Sequence, residues 1–113
     1  MIEGIDIDIV DLSRFAQSLE RTPMLREKLF TVAERERAPH SLAARFAAKE
    51  ALFKALNPGH GLQWHETEVI NAPSGKPDFL FRGATAELVD GAQVHLSLSH
   101  DGGIATAMVV IER

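Results

Sequence analysis

Residues 41–59 read SLAARFAAKEALFKALNPG, and this stretch decides the fold. Alanine and leucine favour a helix, Ser41 opens the run as a cap, and Asn57, Pro58 and Gly59 close it, so the reading is one long helix. On a wheel of about 100° per residue, Leu42, Phe46, Phe53 and Leu56 form an apolar stripe, while Ala44, Ala48, Ala51 and Ala55 make a smooth opposite side. A helix apolar on two sides is packed on two sides. Between those sides stand Glu50 and Lys54 at i, i+4, and Ala43 and Ala47 continue their face so that no large side chain covers it.

Working outward, IEGIDIDIVDL (residues 2–12) alternates Ile5, Ile7 and Ile9 with Gly4, Asp6 and Asp8. That is the period of a strand with one apolar face, and it points Asp6 and Asp8 the same way. DLSRFAQSLER (11–21) sets Leu12, Phe15 and Leu19 at helical spacing, with Asp11 or Ser13 as its cap. A short helix is expected around PMLREKLF (23–30). In FTVAERERAP (30–39) Thr31 and Glu34 have capping-box spacing, and Pro39 is expected to end that element. Downstream, TEVINA and PDFLF flank the turn PSGK as two strands, and ATAELVD reads as a short helix. QVHLSLSH and IATAMVVIE around DGG form a hairpin in which Asp-Gly supplies the positive φ angles. The sum is a single α+β domain over residues 1–113, an antiparallel sheet packed on one long helix plus short helices.

The 113 residues are 45% hydrophobic, carry a formal charge of -4 and include no cysteine. No apolar stretch approaches the roughly 20 residues that span a bilayer, and no basic-then-apolar leader opens the chain, so a cytoplasmic protein with no membrane contact is expected. Any metal must be held by Asp, Glu or His, and oxygen ligands favour Mg²⁺ or Ca²⁺. The acidic balance and the scatter of Trp64 and the six phenylalanines along the chain argue against nucleic-acid binding. His40, His60, His65 and His95 lack metal-ligand spacing. Ser99, His100 and Asp101 are consecutive, so they alternate in direction along a strand, and no Gly-x-Ser-x-Gly elbow accompanies them; a hydrolase triad is disfavoured. Asp6, Asp8 and Glu50, with Lys54 beside them, resemble an oxygen-ligand site for Mg²⁺ and phosphate; the alternative is a plain surface Glu50–Lys54 pair.

GIDIDIVDLSRF, FTVAER, AARFAAKEALFKAL, SGKP, VHLSLSH and ATAMVVIE, in that order, resemble the holo-acyl-carrier-protein synthase family, the small 4'-phosphopantetheinyl transferases. The resemblance runs over nearly the entire chain. It implies that family's fold and a Mg²⁺-dependent transfer of 4'-phosphopantetheine from coenzyme A, with 3',5'-ADP leaving, in fatty acid biosynthesis. The acceptor it implies is a serine of an acyl carrier protein or of a synthase carrier domain. It also implies a homotrimer with active sites between subunits.

Residue by residue, the resemblance makes Asp8 and Glu50 metal ligands and gives Lys54 the departing 3',5'-ADP. Lys49 falls on a position that acts through phosphate contact or packing; the alternative is a packed aliphatic stem with the amine reaching water. Ser99 and His100 form a wall beside coenzyme A with the backbone of the Asp-Gly turn. Gly59 and Gly61 let backbone amides approach the nucleotide, and Lys76 lies toward the adenosine or 3'-phosphate. Arg14 falls on a position that contacts the acidic carrier; by charge alone Arg21 joins it on the basic first helix, while Arg26 and Lys28 extend that face or are solvated beside Glu20 and Glu27. Asp6 stands where the small enzymes usually have glycine, and the larger two-domain transferases place an acid there on the metal. It is either a third ligand or a neighbour just outside the metal's shell. The resemblance also makes the chain short for the family between AERERAP (33–39) and SLAARF (41–46) and in NPGHGLQWHETEV (57–69), where a loop is trimmed. A non-catalytic carrier-binding module or a structural trimer would not require Asp8, Glu50 and Lys54 together.

Overall fold

The computed structural model describes residues 1–56 and 63–113. Strand β1 (Ile2–Asp11) runs directly into helix α1 (Leu12–Arg21), and the Asp11 carboxylate accepts the Arg14 N–H at 2.8 Å. Of the two candidate caps, the last strand residue therefore does the capping. A single short helix, α2 (Leu25–Leu29), follows. Glu34 then accepts the Thr31 N–H at 2.9 Å as a capping box would, but the segment it closes is a turn. Pro39, expected to end that element, instead opens the long helix α3 (Pro39–Ala55) from its first turn, two residues ahead of Ser41. A first-turn proline suits a helix because its missing N–H would have had no partner there. The expected closing residues 57–59 lie outside the described residues.

After a 3₁₀ turn (Trp64–Glu66) come β2 (Thr67–Asn71) and β3 (Pro77–Phe81), then α4 (Gly83–Leu88), β4 (Gln93–Asp101) and β5 (Ile104–Glu112). The strands form two antiparallel sheets where one was expected: a three-stranded sheet ordered β1-β5-β4, and the separate hairpin β2-β3. In the β4–β5 hairpin Asp101 pairs with Ile104, so the two turn residues are Gly102 (φ 57) and Gly103 (φ 81). The positive φ angles fall on Gly-Gly, and Asp101 remains in the strand.

Helix α3 lies across one face of the three-stranded sheet, packed on β1 and β5. Leu42, Ala43, Ala47, Ala48, Ala51 and Leu52 are fully buried, and Ala105 and Ala107 of β5 are nearly so. Ala43 and Ala47, read as leaving a face open, are thus core residues. Small side chains on helix and strand bring the two backbones together, and at Gly4 a Cβ would collide with the Ala55 carbonyl. Truncating a filled position such as Leu42 or Leu52 to alanine costs about 2–5 kcal/mol.

The polarity of β1 is the reverse of a simple core strand. Asp6 and Asp8 lie on the face turned toward α3, with Gly4, while Ile5, Ile7 and Ile9 are 60%, 56% and 64% exposed. On the same outer face the register sets Ile7 beside Met108 and Ile9 beside Thr106, which pairs with Ser99 on β4.

Candidate active site

The junction of β1 and α3 gathers the acids. Lys54, one turn after Glu50, donates from Nζ to Asp8 Oδ1 at 3.0 Å, with Lys54 46% exposed and Asp8 16%. The Asp8 hydrogen bond is the main reason the Lys54 pKa is raised, and the charges of Asp6 and Glu50 add to it. One ammonium therefore sits in the field of three carboxylates. The carboxyl of half-buried Glu50 is held above its ordinary range, first by burial and then by the charge of Asp8, with Lys54 opposing. Asp8 is fixed from the other side by the sheet, because Thr106 Oγ1 donates to its backbone carbonyl at 2.9 Å.

The two carboxylates are close enough for Asp8 to oppose ionisation of Glu50, and both suit a hard cation that draws its remaining ligands from water and phosphate. The donor chemistry fits Mg²⁺ with Asp8 and Glu50 as protein ligands. Asp6 shares the α3 face of β1 with Asp8, and among the described residues no three acids or histidines are grouped to hold a metal ion. Its Oδ1 accepts the N–H of the adjacent Ile7 at 2.8 Å.

Lys49 is packed, but its amine does not reach water. Its Nζ neither faces the site nor reaches water: it bonds Glu34 Oε1 at 2.6 Å, the Leu29 carbonyl at 2.9 Å and the Trp64 carbonyl at 3.2 Å, which uses all three ammonium donors. Burial pushes its pKa down while Glu34 pulls it back. Ser99 and His100 are exposed and leave opposite faces of β4, so they do not form one wall within a protomer. They lie in the rows of Ile9 and Val10 two strands away, about 10 Å across the sheet. Lys76, exposed in the β2–β3 turn, lines a groove of about 640 Å³ with Asp78, Asp90, Gln93 and His95, away from the acid pair. Gly59 and Gly61 lie outside the described residues.

On α1, Arg14 and Arg21 are exposed. Arg14 borders a concavity of about 220 Å³ with Ile9, Val10, Phe15 and Phe46, next to the end of β1. Arg26 is taken out of the basic face, because its guanidinium donates to the Arg35 carbonyl at 2.7 Å and to the Arg37 carbonyl at 3.3 Å. The aromatic residues, scattered in sequence, converge beside α3: Phe46 meets Phe15 at 5.3 Å and stacks on Trp64 at 5.6 Å, and Phe53 meets Trp64 edge-on at 4.8 Å. Sequence reasoning missed this cluster and the role of Glu34. The Thr31–Glu34 spacing marked Glu34 as a side chain that binds backbone, but nothing local paired it with Lys49.

Residues 4–109 match the family described as the 4'-phosphopantetheinyl transferase superfamily. This chain belongs to that family. It is 54% identical over 116 residues to the holo-[acyl-carrier-protein] synthase of Leifsonia xyli, covering 100% of this chain and 98% of that protein. The crystal structure of holo-[acyl-carrier-protein] synthase from Neisseria meningitidis superposes with a TM-score of 0.91 at 30% identity, covering 100% of both chains. The Bacillus anthracis synthase, solved in complex with CoA (3',5'-ADP), superposes with a TM-score of 0.82 at 35% identity, covering 99% of this chain and 97% of that one.

Proposed function

We propose that this chain transfers 4'-phosphopantetheine from coenzyme A to a serine hydroxyl of an apo-acyl carrier protein, the reaction of a holo-[acyl-carrier-protein] synthase. The observation that carries the reading is the Asp8–Glu50–Lys54 group, an acid pair with a half-exposed ammonium on a family fold. A bond forms between the serine oxygen and the β-phosphorus as the hydroxyl proton passes to solvent, the bond from that phosphorus to the bridging oxygen breaks, and 3',5'-ADP departs with that oxygen. Asp8 and Glu50 would hold Mg²⁺, which when bound neutralises diphosphate charge. Lys54, half exposed, donates to the departing phosphate. Arg14 and Arg21 present positive charge to the acidic carrier.

The assembly proposed is a homotrimer with sites between subunits, supported by the apolar row Ile5, Ile7 and Ile9 that β1 leaves uncovered. Ser99 stands on that outer face, so a second copy seated there meets it. Among the described residues no helix is long and apolar enough to cross a membrane, and the cytoplasm is the compartment we assign.

The test is incubation with coenzyme A, Mg²⁺ and an apo-carrier, read by mass spectrometry as a phosphopantetheine gain on the carrier. Asp8→Ala and Glu50→Ala should each abolish that gain while keeping the fold. No gain with the wild type refutes the function, and near-normal turnover of either variant at low Mg²⁺ refutes the site.

A further inference from the structure

A fully enclosed ion pair lies on the opposite flank of α3 from Lys54. Lys49 and Glu34 are 0% and 1% exposed. Glu34 Oε1 takes the Lys49 ammonium and the Thr31 N–H, and its Oε2 takes the Val69 N–H at 2.8 Å. Lys49 adds the Leu29 and Trp64 carbonyls. This one pair therefore fastens the end of α2, the turn after it, the 3₁₀ turn and the middle of β2 to the long helix. A buried pair of this kind is poor value as a stabiliser, since apolar side chains of similar volume commonly do as well. What it provides instead is a fixed geometry for the segments it binds.

The segment that reaches the site is the one carrying Trp64. With its carbonyl held by Lys49, its indole stacks on Phe46 and meets Phe53 edge-on. Phe46 and Phe53 stand four residues before and three after Glu50, the spacings at which helical side chains are neighbours, so the indole packs on the two residues that flank that carboxylate along α3. We propose that Glu34–Lys49 is a positioning pair for the transfer reaction, holding the Trp64 indole against Phe46 and Phe53 as the apolar wall beside Glu50. Lys49 does not touch the reacting atoms; it acts through Trp64.

Trp64 is the sole tryptophan of the chain, so its fluorescence reports the wall directly. Lys49→Met keeps the stem's volume and removes the carbonyl contact. It should shift Trp64 emission to the red, raise its quenching by acrylamide, and lower kcat per folded molecule about tenfold or more, leaving KM for the carrier unchanged. Lys49→Met/Glu34→Gln removes both charges and serves as the second variant if the single one does not fold. Arg45→Met is the control: Arg45 is comparably buried in α3 but bonds Ser41 and Asn71, so its loss should lower the melting temperature without moving Trp64 emission or kcat. An unmoved emission spectrum, or a kcat within about twofold of wild type in the folded variants, overturns the proposal. The kinetic arm rests on the transfer reading above: absence of transfer in the wild type counts against that reading, whereas the emission arm counts for or against this one.

Discussion

Ile7→Glu is expected to break the assembly of this chain while leaving its protomer folded. Ile7 stands between Ile5 and Ile9 on the outer face of β1, beside Met108, and all four are substantially exposed. Fully burying an isoleucine side chain is worth about 1.5–3 kcal/mol, so covering the exposed three-fifths of each contributes about 1–2 kcal/mol, or about 3–6 kcal/mol per protomer for the row. Glutamate forfeits one share and adds a carboxylate whose dehydration costs several kcal/mol. A threefold assembly suffers that loss at every subunit, and about 1.4 kcal/mol already shifts an equilibrium tenfold. Sedimentation velocity at micromolar protein should show a trimer for the wild type and a monomer for Ile7→Glu, with nearly unchanged circular-dichroism melting. Transfer should fall with the trimer if the proposed sites between subunits are the ones that act. A wild type that sediments as a fully active monomer, or an Ile7→Glu protein that stays trimeric, refutes the reasoning.

Burial and the Asp8 charge raise the Glu50 carboxyl pKa, and a raised carboxyl favours the fold fully only below its unfolded pKa, losing that contribution as pH rises through the folded value. Glu50→Gln in metal-free buffer should therefore melt higher than wild type at pH 7 and match it near pH of about 3; an equal difference at both would contradict the shift. Arg14→Glu should raise KM for the carrier and flatten its salt dependence while sparing kcat, and an unchanged salt profile would remove Arg14 from docking. Gly4→Ala should cost about 1–3 kcal/mol in urea unfolding, because its Cβ meets the Ala55 carbonyl, and should lower transfer by moving β1 and Asp8 away from Lys54; full stability would show that the two backbones can part freely.

Local signals carried far. The alanine-rich run at α3, the alternation in β1, the turn residues between β2 and β3 and the glycines between β4 and β5 each act over fewer than about ten residues, where propensity and periodicity speak directly. They placed nearly every element and set Asp8, Glu50 and Lys54 on two elements able to meet. The misreadings were also local: Pro39 stops one pattern or starts another with equal ease, and only the position of Ala38 and the helix beyond it chose the second.

The alternation in β1 shows that its two faces differ, but not which face meets the core. That depended on α3, whose small side chains bring the helix against the aspartate face and leave the isoleucines outward. Lys49 and Glu34 are fifteen residues apart and belong to segments with no shared periodicity, so their pairing exists only because the chain's path brings them together inside the core. Burial then forbids either charge to stand alone. Sequence thus determined which chemical groups this protein owns and the elements that carry them; the tertiary structure decided that Lys54 faces the acids and that Lys49 faces away from them, because a side chain's role follows from what the packing leaves it to touch.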